Sequence, residues 1–81
     1  MSASQERIRE KILSGALPRQ SCRMAWYGPG RGGKCVVCDE PIRADQVEVE
    51  CDLPGGGTIV FHQECHQAWE AAWPACGEST A

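Results

Sequence analysis

The stretch that decides the fold runs from Cys35 to Cys65 and reads CVVCDEPIRADQVEVECDLPGGGTIVFHQEC. It begins with a C-x2-C pair, Cys35 and Cys38, and ends after 23 intervening residues with an H-x2-C pair, His62 and Cys65. Two residues between cysteines let a tight turn direct both sulfurs at one point, and residues three apart share a helix face. Four such nitrogen and sulfur donors suit tetrahedral Zn²⁺ better than Mg²⁺, Ca²⁺ or Mn²⁺. We therefore predict that these four residues hold one zinc ion.

The predicted coordination is closed, because four protein ligands leave no position for water or substrate. A zinc ion held in this way stabilises a fold and does not catalyse a reaction. One alternative stays open, in which Cys35 and Cys38 are a redox pair and His62 is a core histidine. A redox pair of this kind is typical of a βαβ setting, and the sequence around the pair has no such pattern.

Between the two ligand pairs the sequence predicts a β-hairpin. Apolar and acidic residues alternate over Val47–Cys51, Gly55–Gly57 provide a turn, and Thr58–Phe61 is the return strand. A helix is predicted from about His62 to Trp73, ended by Pro74. Its apolar residues recur at steps of three and four and should share a face with His62: Cys65, Trp69, Ala72 and Trp73.

This pattern over residues 35–73 resembles a treble-clef zinc finger. Its spacing is similar to that of the first zinc module of a LIM domain, and Cys-x2-Cys-Asp-Glu-Pro-Ile with Phe-His-x2-Cys also looks like the poly(ADP-ribose) polymerase type of finger. The chain departs from both, because it has no second zinc module and its finger is acidic. The whole chain, with Gly-Ala-Leu-Pro and Trp26-Tyr27-Gly-Pro-Gly, also looks like a group of small uncharacterised bacterial proteins, a likeness that implies no activity.

The expected fold is a small α+β, zinc-stabilised, treble-clef-like domain preceded by a short helix and a linker. Ile8, Ile12 and Leu13 form an apolar stripe that predicts a helix from Ser4 to about Ser14, with Ser4 as N-cap and Gly15 as its stop. Breaker residues over 16–34 predict an extended linker. The predicted organisation has three parts, listed here: a basic helix and linker over 1–34, a zinc-binding module over 35–74, and a frayed tail over 75–81.

Size and charge limit the class of protein. A core built from 81 residues gives little stability alone, so a metal or disulfides are expected. Residues 1–10 lack a secretory signal and no apolar run approaches the roughly 18 residues that span a bilayer, so we expect a soluble cytoplasmic protein with reduced thiols. Residues 1–34 carry seven Lys or Arg and two acids, a net of +5, whereas residues 35–81 carry one Arg and nine acids, a net of −8.

The other residues that could take part in chemistry are expected to have structural roles. Cys51 is expected to be a small buried hydrophobe, His66 an exposed residue that does not bind the metal, and Cys22 and Cys76 free thiols, with a pair as the alternative. For the aromatic residues core packing is favoured over base stacking. These residues are Trp26, Tyr27, Trp69 and Trp73.

The sequence favours binding over catalysis. It shows no nucleophile with a base and an orienting group, since His62 is assigned to zinc and the carboxylates of the strands should face solvent. We therefore predict no enzyme, but an adaptor that binds a protein partner and no membrane. Two alternatives stay open: nucleic-acid binding through the basic residues of segment 1–34, and a thiol-based redox or metal sensor.

Overall fold

The computed structural model describes the backbone of residues 2–78 and the side chains of residues 5–74. These residues form a small α+β structure with two helices and a three-stranded antiparallel sheet in the order β1-β2-β3. The elements, in chain order, are α1 (Ser2–Ser14), β1 (Met24–Pro29), β2 (Val47–Asp52), β3 (Thr58–His62) and α2 (Gln63–Glu78). The predicted α+β class is confirmed.

Helix α1 begins at Ser2, so the predicted N-cap at Ser4 is wrong and the helix is longer at its start. Its predicted stop is confirmed, because Gly15 has φ of +89°, a conformation that glycine adopts without steric cost. The Gly15 N–H donates to the Ile12 carbonyl at 3.2 Å, and the Leu17 N–H donates to the Lys11 carbonyl at 3.0 Å. These bonds turn the chain back along α1.

Strand β1 lies inside the segment expected to be an extended linker, and that expectation is wrong for residues 24–29. The strand pairs antiparallel with β2, with Ala25 opposite Cys51 and Tyr27 opposite Val49. The sequence signal is short because a glycine and Pro29 follow directly after Met-Ala-Trp-Tyr. The third strand matters for stability, since two strands alone are marginal in water.

Strands β2 and β3 form the predicted hairpin, with Cys51 opposite Ile59. The alternation along β2 differs from the prediction at its start, since Val47 is exposed and Glu48 is buried. Glu48 was expected to face solvent, but Arg31 covers it, and the Arg31 backbone N–H donates to the Glu48 carboxylate at 3.2 Å. A buried carboxylate needs such partners, and here they make the burial tolerable.

The core lies where α1 packs on α2 and where α2 packs on β2 and β3. Ile8 and Ile12 of the predicted stripe are fully buried in it, whereas Leu13 is 58% exposed, so the stripe prediction is wrong for Leu13. Leu17, just after the turn at Gly15, is buried and extends the stripe. The N-terminal helix is therefore part of the same packed unit as the hairpin.

Helix α2 starts one residue later than predicted and does not end before Pro74. His62 is the last residue of β3, and the helix continues through Pro74 to Glu78. Proline removes one backbone donor but keeps a helical φ, so a helix can continue past it at an energetic cost. Trp69 is the centre of its buried face, and its indole N–H donates to the Pro18 carbonyl at 3.0 Å. Of the predicted frayed tail, residues 79–81 lie outside the described residues.

Candidate metal centre

The four predicted ligands converge on one point. Their donor atoms all lie within 4.8 Å of one another, and they come from the loop before β2, the end of β3 and the first turn of α2. Cys35 is buried, and Cys38, His62 and Cys65 are half-buried. The cluster, which we call the Cys3His site, could hold a metal ion.

The distances inside the Cys3His site suit a four-coordinate ion. The His62 Nδ1 lies 3.3 Å from the Cys38 sulfur and 4.0 Å from the Cys65 sulfur. Tetrahedral coordination with metal–sulfur bonds of about 2.3 Å and metal–nitrogen bonds of about 2.0–2.1 Å places such donors about 3.6 Å apart. An ion could therefore enter with movements of a few tenths of an ångström.

The imidazole of His62 is oriented by a backbone group. Its Nε2 lies 3.2 Å from the Pro41 carbonyl oxygen, which can only accept, so Nε2 carries the proton in this bond. Nδ1 is then the unprotonated nitrogen and faces the sulfurs. A ligating histidine commonly donates its other N–H to such a carbonyl, which sets both tautomer and ring orientation.

The loop that carries the two cysteines is a small closed turn. The Cys35 N–H donates to the Glu40 carbonyl and the Asp39 N–H donates to the Cys35 carbonyl, each at 2.9 Å. Asp39 has φ of +65°, which a short polar side chain tolerates better than most. An isolated antiparallel β-bridge between Lys34 and Pro41 closes the turn at its base.

The three thiols of the Cys3His site resist ionising together. Burial is the largest influence on Cys35 and opposes ionisation, but N–H groups of Cys38, His62 and Val37 outweigh it, so the pKa of Cys35 is lowered. Burial, and then the charge on Cys35, raise the pKa of Cys38 and of Cys65. A divalent cation is the group that would let all three be thiolates at neutral pH.

Helix α1 lies against the cysteine loop with two basic side chains. The Lys11 ammonium donates to the Val36 carbonyl at 2.8 Å and to the Asp39 carboxylate at 3.0 Å. The Arg7 guanidinium donates to the Cys38 carbonyl at 3.1 Å. The hydrogen bond from Lys11 holds the pKa of Asp39 below its usual range, and desolvation opposes this effect only in part. The sequence shows the charges of α1, but it does not show that they meet the cysteine loop.

Several basic residues of segment 1–34 form ion pairs with acids of segment 35–81. The ion pairs join Lys11 to Asp39, Arg23 to Asp52, and Arg31 to both Glu48 and Glu50. Each pair has at least one exposed side chain, and exposed pairs stabilise a protein by only about 0.2–1 kcal/mol. Their main consequence is that these cations are already partnered.

Cys22 and Cys51 form a disulfide, which corrects two expectations. Cys51 is buried as expected but is bonded, and Cys22 is not a free thiol. Pairing of β1 with β2 brings the two α-carbons within 5.4 Å, inside the usual range for a bridge. The expectation of reduced thiols is therefore wrong for this pair. The side chain of Cys76 lies outside the described residues.

His66 was expected to be exposed, but it is only 6% exposed. Its ring meets Phe61 and Tyr27 edge to face, with centroid distances of 5.2 and 6.2 Å. Its Nε2 lies 3.8 Å from the Cys22 sulfur and 3.5 Å from a carboxylate oxygen of Glu70. Burial lowers the pKa of His66, and the charge of Glu70 opposes that effect.

The aromatic residues divide between core and surface. Trp69 is fully buried and Trp73 is half-buried, as core packing predicted. Trp26 and Tyr27 on β1 are 57% and 59% exposed, so the core prediction is wrong for both. Met24 at the start of the strand is also exposed. These three exposed residues of β1 are together called the β1 patch below. Met24 and Trp26 project from one face of the sheet, and Tyr27, which meets the His66 ring, projects from the other.

No protein-family model, curated protein or solved structure matches the chain. None of the helices within residues 2–78 combines the length and the apolar character needed to cross a bilayer. What the molecule binds has therefore to be inferred from its own residues, above all the Cys3His site and the β1 patch.

Proposed function

We propose that the chain is a treble-clef-like, zinc-stabilised module that binds an extended segment of a partner protein along β1. The zinc ion is held by Cys35, Cys38, His62 and Cys65 and is structural. The exposure of two adjacent aromatic residues, Trp26 and Tyr27, on an edge strand is the observation that carries the binding proposal.

The donor chemistry supports zinc as the metal. Three thiolates and one imidazole form a soft, closed set, which is typical of structural zinc and unsuited to magnesium or calcium. The turn before β2, the hairpin and the helix that follows His62 also stand in the order that a treble-clef finger has. A bound ion would leave a site charge of −1, which Arg7 and Lys11 offset from the side of α1.

The position of β1 in the sheet supports strand addition as the binding mode. Within the described residues, β1 pairs with β2 on one side and with no strand on the other. An exposed edge can pair with an extended segment through main-chain hydrogen bonds, while side-chain contacts give specificity. Beside the β1 patch lies a shallow depression of about 180 Å³, lined in part by Trp26, Tyr27 and Arg31. It offers space for one side chain of the segment.

A protein segment is favoured over a nucleic acid because of the charges near the β1 patch. Glu50 lies opposite Trp26 in the sheet, and Glu48 lines the same depression. The nearest cation, Arg31, is paired with both carboxylates. Phosphates would meet these acids within a Debye length of about 8 Å.

The test is a selection of extended decapeptides from a displayed random library on the zinc-loaded protein. Peptides that bind should lose at least tenfold in affinity against Trp26→Ser, and N-methylation of alternate peptide nitrogens should weaken them similarly because strand pairing needs those donors. Leu13→Ser, which changes an equally exposed apolar residue on α1, is the matched control and should leave affinity unchanged.

Two outcomes would refute the peptide proposal. One is a set of selected peptides whose affinity does not depend on Trp26. The other is submicromolar, salt-sensitive binding of single-stranded DNA or RNA in parallel titrations, which would make the nucleic-acid alternative the better one.

A further inference from the structure

A second group of metal-binding donors lies outside the Cys3His site. The Cys22 sulfur, a ring nitrogen of His66 and a carboxylate oxygen of Glu70 all lie within 4.8 Å of one another. Cys22 comes from the segment before β1, and the other two residues come from successive turns of α2. None of the three belongs to the Cys3His site.

The distances in this second group are close to those of a coordination sphere. The His66 Nε2 lies 3.8 Å from the Cys22 sulfur and 3.5 Å from the Glu70 carboxylate. Around a tetrahedral zinc ion the corresponding separations are about 3.6 Å for nitrogen and sulfur and about 3.3 Å for nitrogen and oxygen. One nitrogen therefore faces two other donors at nearly the spacing that a zinc ion would impose.

The burial of the group also fits an ion site. His66 is buried and makes edge-to-face contacts with two aromatic rings, so its direction is set by packing. Cys22 and Glu70 are half-buried, which leaves a route from solvent. A histidine that only fills space in a core does not need two further metal-binding donors beside one ring nitrogen, and His66 has two.

The Cys22–Cys51 disulfide prevents binding, because a disulfide sulfur is not a thiolate. A dithiol reductant removes this block. Its first thiolate attacks one sulfur and forms a mixed disulfide, and its second thiolate then closes a disulfide within the reductant. Two electrons and two protons pass to the protein, which holds two thiols, and the reductant is oxidised.

We propose that reduction of the Cys22–Cys51 disulfide opens a second zinc site, formed by the Cys22 thiolate, His66 and Glu70. The fourth coordination position is open to water, as in sites with three protein ligands. The Cys22 thiol releases its proton when the ion binds. Disulfide and metal are thus alternative states of one location, and the chain holds one more zinc ion when reduced than when oxidised.

The experiment counts zinc ions per folded chain by native mass spectrometry, with and without a water-soluble trialkylphosphine. The phosphine reduces the disulfide and becomes its oxide with oxygen from water, and it carries no thiol that competes for zinc. We expect one ion in the oxidised protein and two in the reduced protein. Cys51→Ala should hold two ions without reductant, because it leaves the Cys22 thiol unpaired.

Two substitutions separate this site from the Cys3His site. Reduced His66→Asn and reduced Glu70→Gln should each hold one zinc ion fewer than the reduced wild type. Glu70→Gln is the safer variant because its side chain is 36% exposed. Glu64→Gln changes an exposed carboxylate on the same helix and should keep both ions.

The proposal fails if the reduced and oxidised proteins hold the same number of ions. It also fails if the additional ion persists in either His66→Asn or Glu70→Gln. Because the readout is a difference between redox states, it is independent of the peptide-binding proposal and of the occupancy of the Cys3His site.

Discussion

The Cys3His site and the region around the Cys22–Cys51 disulfide both contain cysteines, but they are built in different ways. In the first, each ligand pair is three positions apart in sequence, and one hairpin brings the pairs together. In the second, Cys22 meets a histidine 44 positions away, because β1 pairs with β2 and α2 packs on the sheet. Because of the short spacing, the first site can be recognised in the sequence. The residues of the second region come together only in the tertiary structure.

The largest expected difference between the two regions is in the loss of stability when a predicted zinc ligand or a disulfide cysteine is replaced. Cys65→Ser should leave no folded population at 25 °C, because structural zinc supplies roughly 10–16 kcal/mol of apparent binding free energy. Cys51→Ala removes a bridge across 29 residues and should lower the unfolding free energy by about 3–4 kcal/mol, plus a cavity term. Urea unfolding followed by circular dichroism measures both.

The two regions should also respond differently to pH. The raised pKa values of Cys38 and Cys65 mean that both thiols are protonated at pH 7 without metal, so zinc binding releases at least two protons. Zinc affinity should then fall about 100-fold for each unit by which the pH is lowered near neutrality. Calorimetry in two buffers of different ionisation enthalpy counts the protons, and a release below one would contradict the expectation. The disulfide has no such dependence.

Substitution of Gly30, which lies beside the cysteine loop, should have a smaller effect. A Cβ at Gly30 would lie 2.6 Å from the Ile42 carbonyl oxygen and closer still to that of Arg43, and backbone cannot yield cheaply. Gly30→Ala should therefore lower the unfolding free energy by about 2 kcal/mol or more. Gly55→Ala has open space around it and is the control, expected within about 0.5 kcal/mol of wild type. Equal losses of stability in Gly30→Ala and Gly55→Ala would show that the backbone does not pass as close to Gly30 as described.

The smallest effect concerns the contact between α1 and the cysteine loop. Lys11→Met keeps the length of the side chain but removes the bond to the Val36 carbonyl, at a cost of about 1–2 kcal/mol. It should also raise the pKa of Asp39 towards its ordinary value, measured by NMR titration. Since that pKa is depressed in the folded protein, the stabilisation is present above the ordinary pKa and is lost as pH falls.

Arg9→Met is the matched control for this contact, because Arg9 is an exposed basic residue on the same helix. It should change neither the unfolding free energy nor the titration of Asp39 measurably. If Arg9→Met and Lys11→Met shift the Asp39 pKa equally, the effect is general charge and not the observed contact.

The sequence predicted the parts of the fold that depend on local pattern. Alternation over Val47–Cys51 and the glycine run after it located the hairpin, and the paired spacings located the four donors of the Cys3His site. Strand β1 was missed because only four residues precede a glycine and Pro29, too few to show a period. Without β1 the partner of Cys51 could not be found.

Other misses have the same physical origin. Glu48 is covered by Arg31, and His66 packs against Tyr27 as well as against the nearby Phe61. Arg31 and Tyr27 are distant in sequence from the residues that they cover. A polar residue that is buried through tertiary partners carries no local signature. The role of Lys11 at the cysteine loop belongs to the same class.

We propose that zinc at the Cys3His site holds the fold together, and chelation of the oxidised protein with its disulfide intact is the sharpest test. A ¹H–¹⁵N NMR spectrum recorded before and after addition of a strong zinc chelator should change from dispersed to collapsed. One equivalent of zinc should restore the dispersed spectrum. A dispersed, native-like spectrum that persists in the metal-free protein would contradict the claim, because the disulfide and the apolar core would then suffice.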